Sequence, residues 1–196
     1  MKAVTIVAFV AICLAFPLIC LAEAFGLEMG TPLEKLPPRE KQLQPGLYLL
    51  KSVPTPHPAF ESYVVKVGPT TGLCWVKGIG KDIQVSSYGL DLKSAFTEMK
   101  GKLDKVYGQS DLTDRLFPGS IWNEPKDWMM GLLKKERYLL AGWNEKSHAK
   151  LPANLTQVGL MANATRSDKG YISLEYYFSN KDACDAEVAK QADTGL

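Results

Sequence analysis

Four residues between positions 122 and 128 carry the side chains best suited to chemistry in this chain: Trp122, Glu124, Asp127 and Trp128. Indole rings stack on the faces of sugars, and two carboxylates a few residues apart can serve as acid and base in glycoside hydrolysis. Acidic residues are also favoured in the first turn of a helix, and Trp128 has helical spacing to Leu132. The sequence leaves three interpretations open: a helix cap with a core tryptophan, a binding surface, and a catalytic pair.

The other reactive side chains do not form a known catalytic or metal-binding motif. The two histidines are His57 and His148. His57 lies among prolines, and neither histidine has a second ligand at the spacing of a zinc site. The sequence contains no nucleophile elbow, zinc-protease helix or phosphate-binding loop. We therefore expect no metal and no cofactor, and the pattern favours a binding protein over an enzyme.

Residues 1–24 have the pattern of an export signal. A lysine at the second position precedes an apolar run over residues 3–21, and residues 22–24 read Ala-Glu-Ala, a small-x-small cleavage signal. We predict cleavage between Ala24 and Phe25. The mature protein would then have no membrane anchor and would be periplasmic or secreted.

Two cysteines, Cys74 and Cys184, remain after the predicted cleavage. Exported proteins enter oxidising compartments, where disulfides form and persist. We therefore predict a disulfide between Cys74 and Cys184, and two buried free thiols are the alternative. The bond requires the end of the last predicted strand to lie near the strand that begins at Leu73.

The stretch Tyr63–Gly108 forms the centre of the predicted fold. Alternating apolar residues predict strands over 63–67 and 73–79, and the Gly- and Pro-containing residues 68–72 predict a turn between them. Gly108 suits the left-handed position that ends a helix. The helix before it is predicted from one apolar stripe at helical spacing: Leu92, Ala95, Phe96, Met99, Leu103 and Val106.

The remaining elements suggest two similar units. Thr31-Pro32-Leu33-Glu34 is a capping-box signal for an early helix, and strands follow it. We predict one α+β domain over residues 25–196, with helices on one face of an antiparallel sheet of about six strands. Each unit, over about 30–85 and about 86–180, would be one helix followed by three strands. Two segments are assigned to connections: 39–44 and 109–119.

Charge excludes one class of partner. The 196-residue chain carries 23 Lys and Arg against 21 Asp and Glu, a formal net charge of +2 at pH 7. Nucleic-acid-binding domains have a marked basic surplus. We therefore expect no nucleic-acid partner.

The opening Phe25-Gly26-Leu27-x-Met29-Gly30, followed by Thr31-Pro32-Leu33-Glu34, resembles the start of a helix-then-meander unit in exported bacterial modules. These modules include tandem-repeat β-lactamase inhibitor proteins and small outer-membrane-assembly lipoproteins. The chain departs from them at Pro37-Pro38, which shortens the first helix, and it lacks a lipid-attachment cysteine. Two further stretches resemble signatures of exported bacterial proteins with no assigned activity: Gly72-Leu73-Cys74-x-Val76 and Ser120-Ile121-Trp122-Asn123-Glu124-Pro125-x-x-Trp128. The resemblance implies a module that binds a protein partner and performs no chemistry.

The leading hypothesis from the sequence is therefore an exported protein-binding module. It would be inhibitor-like or an envelope assembly factor, and its partner would be an envelope or extracellular protein. The alternative is an envelope protein that binds or processes glycan through the surface from Trp122 to Trp128.

Overall fold

The computed structural model describes residues 23–193, with side chains as far as residue 191. Residues 1–22, which hold most of the predicted export signal, lie outside the described part. The described residues form nine strands, which all belong to one sheet. The strands are β1 Arg39–Gln44, β2 Leu47–Leu50, β3 Phe60–Gly68, β4 Gly72–Gly80, β5 Ile83–Gln84, β6 Asp111–Leu116, β7 Arg137–Asn144, β8 Leu155–Arg166 and β9 Lys169–Phe178.

Three α-helices accompany the sheet in the described part of the chain: α1 Leu90–Tyr107, α2 Trp128–Leu133 and α3 Lys181–Asp193. Short 3-10 helices occur at three further places: Leu33–Lys35, Pro125–Asp127 and Glu145–Ser147. No helix among residues 23–193 is both long and apolar enough to cross a membrane.

The strands pair in antiparallel fashion in the order β1-β2-β3-β4-β9-β8-β7-β6, and β5 also pairs with β9. The last strand, β9, therefore lies between β4 and β8 and joins the two halves of the chain. The predicted α+β class with an antiparallel sheet is confirmed. The finer prediction of about six strands in two helix-then-three-strand units is wrong.

The helix predicted to open the first unit is reduced to one 3-10 turn, Leu33–Lys35. The Thr31 hydroxyl donates to the Glu28 carbonyl at 2.8 Å and does not cap a helix. Pro37-Pro38 explains the short length, because proline lacks the N–H that a helix interior needs and its ring clashes with the preceding turn.

The strands β1 and β6 occupy the two segments that the sequence pattern assigns to connections. Both are edge strands that pair with one neighbour each, β2 and β7. All six residues of β1 are exposed. An edge strand of this kind buries neither face completely, so its sequence does not show the alternation that marks a half-buried strand.

The stripe of α1 packs against the sheet, largely as predicted. Its buried residues are Leu92, Phe96, Met99, Leu103 and Tyr107. Val106 is the exception, because it is 66% exposed. The neighbouring Tyr107 faces the sheet instead and interacts with Tyr176 of β9.

The prediction that all helices pack on one face is wrong, because α3 lies against the opposite face of β3 and β4. Lys66, which alternates with the core residue Val65, forms an ion pair of 2.5 Å with Asp185 of α3. The predicted disulfide is confirmed: Cys74 of β4 and Cys184 of α3 are bonded, with Cα atoms 6.3 Å apart. This contact forms a small buried group separate from the main core: Val64, Cys74, Cys184 and Val188.

Candidate functional site

The four residues singled out from the sequence lie between β6 and α2, but they do not share one surface. Trp122 and Asp127 are half-buried, and Glu124 is exposed and paired with Lys126 at 2.8 Å. Trp128 is only 4% exposed. The structure therefore leaves Trp122 as the accessible indole of this segment and assigns Trp128 to the core.

Trp128 is enclosed by the start of α1. The Lys93 ammonium nitrogen lies 4.2 Å from the centre of a Trp128 ring. The backbone at Gly89 also approaches so closely that a Cβ there would lie 2.3 Å from the indole. Both contacts occupy surfaces that a sugar would need for stacking.

The start of the α2 segment also differs from the sequence prediction. Asparagine is a common N-cap residue, and Asn123 directly before the acidic residues is therefore expected to cap the helix. The chain instead first forms the 3-10 helix Pro125–Asp127, with Glu124 at the N-cap position and no side-chain cap bond. Proline at the first helical position favours this start, because its N–H would lack an intrahelical partner there in any case.

The strand β6 offers a free edge. It pairs with β7 without a register shift over all six residues, from Asp111 with Gly142 to Leu116 with Arg137. Within the described part of the chain, no strand pairs with its other side. A regular, unpaired strand edge presents a row of backbone donors and acceptors that can pair with another chain.

Apolar side chains surround this edge. Leu112 within β6 is 57% exposed, Phe117 directly after it is 44% exposed, and Ile121 in the next turn is 75% exposed. Trp122 follows in the same turn, where its backbone N–H donates a hydrogen bond to the Ser120 hydroxyl oxygen at 3.2 Å. We call these four residues with the free edge the β6 surface: Leu112, Phe117, Ile121 and Trp122.

The opposite edge of the sheet is different. The strand β1 carries Arg39, Glu40 and Lys41, and its pairing with β2 contains two register shifts. Charged residues and irregular pairing are devices by which proteins prevent an edge strand from pairing with other chains. The sheet therefore has one protected edge and one free edge with exposed apolar neighbours.

Sequence reasoning missed Leu112, Phe117 and Ile121. A weak signal was present, since these apolar residues interrupt a mainly polar stretch. Single exposed apolar residues are normal on protein surfaces. They gain meaning here only because the fold places them along an unpaired strand.

The two histidines lie apart from the β6 surface. His57 is held in its loop by a hydrogen bond from the Ala59 N–H to its Nδ1 at 3.1 Å. Burial lowers the pKa of His57, and the positive charge of Lys102 lowers it further. His148 is exposed after the last 3-10 helix. Among residues 23–191 no group of three or more His, Cys, Asp or Glu side chains is arranged to hold a metal ion.

A concave groove lies beside α1. It has a volume of about 370 Å³, and its wall includes Phe25, Phe60, Lys102, Val106 and Tyr176. Three aromatic rings hold Phe25 edge-on, at centroid distances of 4.8 to 5.5 Å. Lys102 in its wall is already paired with Glu98 at 2.7 Å. The groove is mainly apolar, and the positive charge of Lys102 at its rim is neutralised by Glu98.

The open face of the sheet carries a polar cluster around Glu175 of β9. The Trp75 indole N–H and the Tyr177 hydroxyl both donate to Glu175, at 3.3 and 2.6 Å, and Lys77 forms an ion pair with it at 2.9 Å. Burial raises the pKa of Tyr177, and the hydrogen bond and charge of Glu175 raise it further. Because the carboxylate is already bound by three groups, this cluster stabilises neighbouring strands and offers little to a ligand.

Comparison with known proteins found no matching family model, no matching curated protein and no matching solved structure.

Proposed function

We propose that this chain is an exported protein-binding module, and that an extended segment of its partner pairs with the free edge of β6. Strand addition is a recurring way of recognising peptides, in which backbone hydrogen bonds provide affinity and side-chain contacts provide specificity. The partner is an envelope or extracellular protein.

The contrast between the two sheet edges carries this proposal. The edge at β1 has charges and irregular pairing, whereas the edge at β6 is regular and lies beside exposed apolar residues. An unprotected edge is an aggregation risk for the protein. Occupation by a partner would remove that risk.

The side chains near β6 suit the contacts of such an interface. Strand alternation places Leu112 and Phe117 on opposite faces of the chain, so that they flank the edge on both sides. Phe117 packs against Tyr138 with ring centroids 5.2 Å apart. Trp122 adds an indole, and aromatic side chains are frequent among the residues that dominate interface energetics.

Export is supported by the disulfide. Disulfide bonds form and persist in oxidising compartments and are rare in the cytosol of most organisms. The bond between Cys74 and Cys184 agrees with a protein that functions outside the cytosol.

Hydrogen exchange on the partner complex provides the test. The partner is isolated from envelope extract with the mature protein as bait, and backbone exchange is then compared in the free and bound protein. We expect slower exchange for residues 111–116 on binding, because strand addition gives their outward-facing N–H groups new partners. Unchanged exchange at β6, or equal protection at β1, would overturn the proposal.

A matched pair of substitutions controls for general surface effects. Leu112→Lys places a charge on the free edge, and Leu43→Lys places the same charge on β1, where Leu43 is also exposed. We expect Leu112→Lys to abolish binding and Leu43→Lys to leave it unchanged. If the partner is instead glycan, binding to insoluble polysaccharide should be lost in Trp122→Ala and retained in Leu112→Lys.

A further inference from the structure

The sheet opens into a fork between β7 and β8. Their pairing ends at Leu140 and Met161. The strand β7 nevertheless continues to pair with β6 as far as Arg137, and β8 continues to pair with β9 as far as Arg166. The two strands therefore diverge, and a cleft of about 350 Å³ lies between them and the end of α2. We call this space the fork cleft.

The wall of the fork cleft is rich in hydrogen-bond donors. Part of it is apolar, with contributions from α2 and β8. The polar part of the wall consists of five side chains: Lys135, Arg137, Tyr138, Asn163 and Tyr171. All lining residues belong to the described part of the chain, and none of them carries a carboxylate. The cleft thus combines two cations with an apolar surface.

Arg137 is held in place with one N–H left unused. Its Nη1 forms an ion pair with Asp114 of β6 at 2.6 Å. The helix α2 packs so closely that a Cβ on Gly131 would lie 3.1 Å from the Arg137 Cβ. The Nε–H of Arg137 is buried without a hydrogen-bond partner among the described residues. A buried N–H without a partner is unfavourable, so the contact with Asp114 leaves the guanidinium incompletely satisfied.

Lys135 occupies a backbone position that favours glycine. The helix α2 ends in a Schellman motif, in which the Glu136 N–H donates to the Gly131 carbonyl at 2.9 Å and the Lys135 N–H donates to the Leu132 carbonyl at 3.0 Å. Lys135 therefore has a left-handed φ of 58°. A side chain is disfavoured in this conformation because its Cβ crowds the following carbonyl. A lysine here destabilises the turn, which indicates a role for its ammonium group beyond folding.

From these observations we infer that the fork cleft binds a small molecule whose phosphoryl or carboxyl group is attached to an apolar body. The Lys135 ammonium and the exposed part of the Arg137 guanidinium bind the oxyanion, since charge-assisted hydrogen bonds are the strongest that side chains offer. The hydroxyls of Tyr138 and Tyr171 supply further donors. The apolar part of the wall contacts the body of the ligand. This inference is independent of the β6 surface and of the proposed protein partner.

The charges around the cleft favour an anion. Lys93 of α1 lies close enough to interact with Asp114 and Arg137: burial lowers the pKa of Lys93, Asp114 raises it and Arg137 lowers it. Lys93 and Arg137 both interact with the single carboxylate of Asp114, and Lys135 adds a further cation to the wall of the cleft. Asp114 engages the guanidinium from one side only, so Arg137 retains donors for a second oxyanion.

The test uses the mature protein with phenyl phosphate and benzoate as probes and phenol as the neutral control. Amide resonances are followed by NMR while each probe is added. We expect both anions, but not phenol, to shift the resonances of residues 135–138 and 162–164. The probe that binds more tightly identifies the phosphoryl or the carboxyl group as the preferred ligand. No shift at these residues, or equal shifts with phenol, would overturn the inference.

Lys135→Gly separates binding from folding. The variant removes the ammonium group and relieves the left-handed backbone, so affinity for the preferred probe should fall about tenfold while Tm rises by about 2–4 °C. Lys134→Ala removes the same charge from the neighbouring exposed lysine, which does not line the cleft, and should leave affinity within about twofold. Asp114→Asn releases the guanidinium and should increase affinity. Equal losses in Lys134→Ala and Lys135→Gly would show a general charge effect and refute the site.

Discussion

Cys74 of β4 and Cys184 of α3 are joined by a disulfide, although 110 residues separate them in the chain. The bond attaches the C-terminal helix to the face of the sheet that α1 and α2 leave open. Lys66 and Asp185 form an ion pair beside it. The covalent bond and this ion pair together hold α3 at this position, and the bond leads to the first prediction.

Removal of the disulfide should destabilise the protein substantially. For a closed loop of this length, the chain-entropy argument gives an upper value of about 4–5 kcal/mol, and real bonds often contribute less. Urea melts of the wild type and of a Cys74→Ala, Cys184→Ala double variant measure the difference. Thiol titration of the denatured, unreduced mature protein should detect no free thiol, and two free thiols would contradict the bond.

Phe96 should be a major contributor to the core. It lies on the sheet-facing side of α1 and is almost completely buried. Phe96→Ala should therefore reduce the free energy of unfolding by about 3–5 kcal/mol. Val106 on the same helix is exposed, and Val106→Ala should change stability by less than about 0.5 kcal/mol. Equal effects of the two substitutions in denaturant melts would show that the stripe does not pack as described.

Alanine substitution of the two tryptophans near α2 should affect stability to different extents. Trp128 is enclosed by Gly89 and Lys93, and Trp128→Ala should destabilise the fold by about 3–5 kcal/mol. Trp122→Ala should leave the melt nearly unchanged and reduce partner binding. Similar destabilisation by both changes would make Trp122 a structural residue and remove it from the β6 surface.

Acid should weaken the attachment of α3. Hydrogen bonds from the Thr70 hydroxyl and then from the backbone of Thr71 and Thr70 lower the pKa of Glu187 from 4.5 to about 2. A depressed carboxylate pKa contributes stability above the unfolded-state value, and this stability is lost as pH falls from about 4.5 towards 2. Glu187→Gln should therefore reduce the pH dependence of stability over that range. Parallel wild-type and variant curves would exclude the effect.

The position of the mature N-terminus should affect stability. The sequence predicts cleavage between Ala24 and Phe25, yet Ala24 is fully buried and exchanges two backbone hydrogen bonds of 3.0 Å with Leu27. A protein that begins at Phe25 should be about 1–3 kcal/mol less stable than one that begins at Glu23. Melts of the two purified forms give the difference, and intact mass of the exported protein identifies the natural form. A mass that still includes Lys2 would contradict removal of the signal.

Features that depend on neighbours in sequence could be predicted. The stripe from Leu92 to Leu103 repeats at helical spacing, and the strands β3 and β4 alternate, because each pattern reflects burial of one side of a single element. The disulfide followed from the two cysteines outside the predicted signal and from the compartment that this signal implies. The burial of Trp128 agrees with one of the three interpretations that its spacing to Leu132 left open.

Features that depend on pairing between distant segments could not be predicted. The segment 111–116 is a strand because β7 supplies hydrogen bonds to it, not because its own residues alternate. The capping signal at Thr31 predicts a longer helix than the chain forms, because Pro37-Pro38 ends the helix after one turn. The position of α3 on the second face required the sheet order, which places β9 between β4 and β8.

The candidate sites divide in the same way. The sequence by itself determined the export pattern, the α+β class, the main core helix and the partners of the disulfide, because these depend on composition and local periodicity. Only the tertiary structure decided that Leu112 and Phe117 flank a free edge and that Lys135 and Arg137 face one cleft. Those relationships arise from strand register and from the end of α2, which depend on contacts between residues far apart in the chain.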